Sequence, residues 1–183
     1  MNFVTRCALT VLFAFSAVVL GDAAQAADDI SKVNGSVKIE PGQQVGDVST
    51  VNGSVTIGAG ARAGEVETVN GSLKIEDKAV VGSAETVNGS ITVGAEADVQ
   101  SGVEAVNGSL TLRQGAKVIG GLENVNGSML VEGARVEGGL ETVNGDIRLA
   151  TGSHVTGGIH VEEHKSSWWK GKNSRHPRIT IEQ

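Results

Sequence analysis

The chain reads as all-β: a single-stranded parallel β-helix with three faces, about 18 residues per coil and seven to eight coils. Three observations predict it. Val-Asn-Gly-Ser begins at Val33, Val51, Val69, Val87, Val106 and Val125, and Val143-Asn144-Gly145-Asp146 continues the series. The Asn residues (Asn34, Asn52, Asn70, Asn88, Asn107, Asn126, Asn144) are spaced 18, 18, 18, 19, 19 and 18 apart, the mark of a stack of equal units. Within each unit the apolar residues alternate in short bursts separated by Gly, and none shows ten or more residues at helical period.

The first element, residues 1–26, reads as a Sec-type signal peptide. Arg6 supplies the positive start, Ala8 to Leu20 the apolar run, and Ala24-Gln25-Ala26 the small-residue cleavage pattern. The run is too short for a membrane span, which needs about 20 residues. The processed protein is therefore expected in the bacterial periplasm or outside the cell, with no transmembrane segment. Cys7, Phe3, Phe13 and Phe15 all lie in the leader. What remains has no Cys and only Trp168 and Trp169 as aromatics, which excludes a disulfide scaffold and a thiolate metal site. The core must be built from Val, Ile, Leu and Ala.

Residues 27–160 are the solenoid repeats. In the fifth unit the bursts are Leu110-Thr-Leu112, Ala116-Lys-Val118 and Leu122-Glu-Asn-Val125. Equivalent strands of successive coils pair in parallel about 4.8 Å apart, giving a rod about 35 Å long. Corners absorb the differences in coil length, with three residues between Leu112 and Ala116 and two between Val131 and Ala134. At the Asn-Gly corner both residues tolerate positive φ, and the stacked Asn side chains form an amide ladder. Six of the Asn also spell N-x-S, but a glycan on every coil does not fit that spacing.

Residues 161–177 break the repeat as a basic loop or cap. His164 to Arg178 carries Lys165, Lys170, Lys172, Arg175 and Arg178 with no acid, next to Trp168-Trp169. Trp168, Trp169, Lys170 and Lys172 are the residues of this stretch suited to touching an anionic glycan or lipid. Residues 178–183 match the first strand of a further, incomplete coil. At the other end Ile30 and Val33 match the third strand of a preceding one.

Two outward series matter for function. Lys38, Thr56, Lys74, Thr92, Thr111, Leu130 and Arg148 alternate charge and Thr. Glu67, Glu85, Glu104, Glu123 and Glu141 instead repeat on five successive coils, and they read as a solvated acidic stripe with weak capacity for cations. Residues 27–163 carry 9 Lys and Arg against 19 Asp and Glu, so the rod repels nucleic acid. His160-Val161-Glu162-Glu163-His164 has the letters of a zinc motif but lacks the helix that places both His on one face. No catalytic residues and no cofactor are expected, and the chain reads as a non-enzyme.

Ala116-Lys-Val118-Ile-Gly-Gly-Leu122, Ala134-Arg-Val136-Glu-Gly-Gly-Leu140 and Ser153-His-Val155-Thr-Gly-Gly-Ile159 resemble the A-x-V-x-G-[DG]-[IL] repeat of bactofilins, polymer-forming bacterial proteins. The resemblance covers roughly residues 30–160 and implies a right-handed coil. It departs in the export signal and in the Val-Asn-Gly-Ser run on every coil. The expected function is an exported scaffold that assembles with itself, end to end or laterally, at the cell envelope. The alternative is an envelope binding module presenting the acidic stripe or the Trp-Trp loop to glycan, lipid or cations.

Overall fold

A computed structural model describes residues 27–162 and 177–182. Among these residues there is no helix, and parallel strands stack about 18 residues apart into a β-solenoid of about seven turns. One stack forms the face that carries β2 (Val37–Ile39), β4 (Val55–Ile57), β6 (Leu73–Ile75), β8 (Ile91–Val93), β11 (Leu110–Leu112), β14 (Met129–Val131), β17 (Ile147–Leu149) and β20 (Ile179–Ile181). The Glu-bearing face comprises β1 (Ile30–Asn34), β3 (Val48–Asn52), β5 (Arg62–Asn70), β7 (Val80–Asn88), β10 (Val103–Asn107), β13 (Leu122–Asn126), β16 (Leu140–Asn144) and β19 (Ile159–Val161). The face between them holds the starts of β5 and β7, then β9 (Asp98–Val99), β12 (Lys117–Val118), β15 (Arg135–Val136) and β18 (His154–Val155).

Two of the three faces merge into one sheet because β5 and β7 each run unbroken over a corner. The chain there has only two residues between inward side chains, Gly64-Glu65 and Gly82-Ser83, short enough to stay extended. From the next coil onward the same corner has three: Gln100-Ser101-Gly102, Ile119-Gly120-Gly121 and Glu137-Gly138-Gly139. The added residue interrupts the strand and produces the two 19-residue steps. The coil with Glu137 returns to 18 because Val131 to Ala134 is one residue shorter at the opposite corner.

Inward positions stack by type. Ile39, Ile57, Ile75, Val93, Leu112 and Val131 form one buried column and Ala61, Ala79, Ala97, Ala116 and Ala134 another, all at most 2 % exposed. Stacked columns of small and branched side chains close the core without aromatics.

The Val-Asn-Gly-Ser unit behaves differently from its expected geometry. Its Val lies outside the packed core cluster: Val51, Val69, Val87 and Val106 point outward beside the Glu stripe and are half-buried, and Val125 and Val143 are buried at 7 %, whereas Thr50, Thr68 and Thr86 take the inward place. Each of these Thr hydroxyls donates to the carbonyl of a repeat Gly: Thr50 to Gly35 at 3.1 Å, Thr68 to Gly53 at 2.9 Å and Thr86 to Gly71 at 3.2 Å. Among the described residues no Asn has positive φ, and of the seven repeat glycines only Gly35, Gly108 and Gly127 do. The Gly is required instead by close approach: a Cβ on Gly53, Gly71, Gly89, Gly108, Gly127 or Gly145 would overlap the carbonyl oxygen of the Gly one coil away. Left-handed residues recur on every coil at a different corner, between the β2 stack and the face that holds β9, at Gly42, Gly60, Lys78, Glu96, Gly115, Gly133 and Gly152.

Candidate functional site

The Asn ladder is continuous. Each side-chain amide donates to the Oδ1 of the Asn one coil earlier: Asn52 to Asn34 at 3.1 Å, Asn70 to Asn52, Asn88 to Asn70, Asn107 to Asn88 and Asn126 to Asn107 at 3.0 Å, and Asn144 to Asn126 at 3.1 Å. Amides bonded in series leave one free donor end and one free acceptor end, so the ladder serves structure and holds the Glu strands in register.

That register aligns Ser49, Glu67, Glu85, Glu104, Glu123, Glu141 and His160 in one row. The row is not uniformly solvated, which differs from the expectation of a solvated stripe. Glu67 and Glu85 are only 7 % and 8 % exposed, while Glu104, Glu123 and Glu141 are half-buried. The corner position just before each Glu strand explains the difference. It reads Asp47, Glu65, Ser83, Gly102, Gly121, Gly139, Gly158. Side chains cover the stripe on the early coils, and glycines leave it open on the later ones.

The open part is a cleft of about 460 Å³ lined by Gly121, Gly139 and Gly158 with Glu123, Glu141 and His160. At its far end Glu141, His160 and Glu162 bring one ligand atom each within 4.8 Å of one another. The covered part gathers Glu65, Glu67 and Glu85 within the same limit. Oε1 of Glu67 and Oε2 of Glu85 are buried and have no hydrogen-bond partner. Burial pushes the Glu67 carboxyl up to about 8, helped by a hydrogen bond with Glu65 and by the charges of Glu65, Glu85 and Asp47. Glu85 rises to about 7, again mainly through burial, with Glu104, Glu65 and Glu123 adding like charge. Among the described residues no Lys or Arg forms an ion pair with Glu65, Glu67 or Glu85.

Strand alternation pointed to Glu67 and Glu85 but passed over Glu65 and Glu162, which lie outside the row. The signal for Glu65 was present in the run Asp47, Glu65, Ser83, which departs from the Gly of later coils at the same corner position. Trp168, Trp169, Lys170 and Lys172 lie outside the described residues, as do residues 1–26, where the sequence predicts a signal peptide. Among the described residues no helix is long and apolar enough to cross a membrane.

The motif that resembles bactofilins is built of core and corner residues: Ala116 and Val118 point inward on one face, Gly120-Gly121 turn, and Leu122 points inward on the next. It therefore speaks to the coil. No family model, no curated protein and no solved structure matches the chain.

Proposed function

We propose that the protein is a non-enzymatic, exported structural rod that assembles end to end with further copies of itself at the cell envelope. The observation that carries this reading is the character of the rod's two ends. Large apolar side chains are exposed mainly there: Val33 on β1 at 56 %, Ile179 and Ile181 on β20 at 48 % and 62 %. Among the described residues β1 and β2 each pair on one side only, as do β19 and β20.

A parallel edge with alternate apolar side chains is a template for another strand of the same kind. β20 continues the stack that β2 begins, and β19 continues the stack that β1 begins. A second copy placed head to tail extends both stacks in the same direction. Such an interface is heterologous and does not close, so repetition yields a filament. The polymer-forming family that the coil motif resembles is consistent with that outcome.

Electron microscopy and light scattering of the purified protein test the proposal. Filaments or a ladder of rod lengths are expected, shortened by Ile181→Lys. A monodisperse monomer at high concentration overturns it.

A further inference from the structure

We propose that Glu65, Glu67 and Glu85 form a binding site for one hard divalent cation of the size of Ca²⁺. Their carboxylates converge from two adjacent coils with ligand atoms within 4.8 Å of one another. Oxygens bound at Ca²⁺ distances of about 2.3–2.6 Å are at most about twice that far apart, so the convergence matches a single ion's shell. Exposed acidic clusters need no ion, because water screens them. Here two of the three members are more than nine-tenths buried, and each keeps an oxygen that has no hydrogen-bond partner.

A buried, unpartnered carboxylate oxygen carries a large desolvation penalty, and packing a third carboxylate against two such groups adds mutual repulsion. The protein supplies no compensating base among the described residues. The additional charges within reach, Asp47, Glu104 and Glu123, are all negative. A proton shared between carboxyls relieves part of this. A divalent cation relieves more, since it neutralises two charges and saturates the orphaned oxygens together.

The scaffold holds the three residues in place. Glu67 and Glu85 are paired in register in the β5–β7 ladder, and Asp47 Oδ1 accepts the backbone N–H of Glu65 at 2.8 Å. Three carboxylates, each able to bind through one or two oxygens, provide three to six of the six to eight contacts Ca²⁺ takes, and water fills the remainder. Cys is absent from the site and His is not among its ligands, which disfavours zinc or copper. The inference is independent of end-to-end assembly, since the site lies in the body of the rod.

Calorimetric titration of Ca²⁺ into the EDTA-stripped protein tests it, using the wild type, Glu67→Gln/Glu85→Gln and the stripe control Glu104→Gln/Glu123→Gln. One site per chain is expected in the wild type. The first variant should weaken it by about tenfold or more and the control by much less, because the ligand charge count sets affinity. Glu65→Gln, whose parent residue is only half-buried, gives the same test if the first variant loses its strand signal. Absence of Ca²⁺ binding in the wild type overturns the proposal. Equal weakening in site and control variants also overturns it, because that result marks a diffuse counterion layer on the stripe.

Discussion

Glu67 stands in register with Glu85 on the next coil, and each carries a buried carboxylate oxygen with no partner. Two acids stacked this way make the folded state hold protons that the unfolded chain releases. The ordinary pKa of both is 4.5, against about 8 for Glu67 and about 7 for Glu85 in the fold. Between pH 4.5 and pH 8 the folded state therefore binds more protons than the unfolded one, and stability falls as pH rises. Below 4.5 both states are protonated at these positions, and above 8 both are ionised, so their contribution becomes flat.

In EDTA, the melting temperature is expected to drop by several degrees between pH 5.5 and pH 8.5, about 2–4 °C for each kcal/mol lost. Glu67→Gln/Glu85→Gln should remove most of that slope. An unchanged slope in the variant would assign the pH dependence to other carboxylates.

The Asn ladder should be most sensitive in its middle. Asn88 takes part in two of the inter-coil bonds, donating to Asn70 and accepting from Asn107, whereas Asn34 takes part in one. Asn88→Ala is expected to lower stability by about 1–2 kcal/mol and Asn34→Ala by about half as much, at about 1 kcal/mol per net bond. Denaturant unfolding of both variants checks the ratio. Equal losses would mean that the amides do not act in series.

Gly89 and Gly60 separate two reasons for glycine. A Cβ on Gly89 overlaps the Gly71 carbonyl oxygen, while Gly60 has open space around it but φ +67°. Gly60→Ala is expected to cost about 1–2 kcal/mol, the usual left-handed penalty. Gly89→Ala requires two coils to move apart and should cost more than about 4 kcal/mol, enough to lower the folded yield sharply. Thermal melts of the two variants rank them.

Lys78 and Glu96 occupy the left-handed corner that Gly fills on the other coils, with φ 60° and 55°. They face each other across 3.8 Å as an exposed ion pair, an interaction worth about 0–1 kcal/mol. Relief of backbone strain worth about 1–2 kcal/mol is the larger effect, so Lys78→Gly should raise the melting temperature by a few degrees. A fall would show the pair to be stronger than surface pairs usually are.

The coil, its period and its aliphatic core were legible in the amino-acid sequence because each is a local pattern repeated seven times. One Asn-Gly pair and a few period-two bursts recur every 18 or 19 residues, and repetition turns a weak signal into a certain one. The row of Glu residues was legible for the same reason.

Burial of Glu67 and Glu85 was not legible, nor was the outward placement of the repeat Val. Alternation says which side of a strand a residue occupies, but not what the neighbouring corner folds over it. Glu65 covers the stripe while Gly121 leaves it open, because the backbone path at that corner depends on a single inserted residue. The requirement for Gly at the Asn-Gly corner likewise arises between coils. The carbonyl of Gly71 excludes a Cβ at Gly89 only when 18 residues of chain have returned to the same height. Period and core belong to the sequence; contacts between one turn and the next exist only in the folded stack.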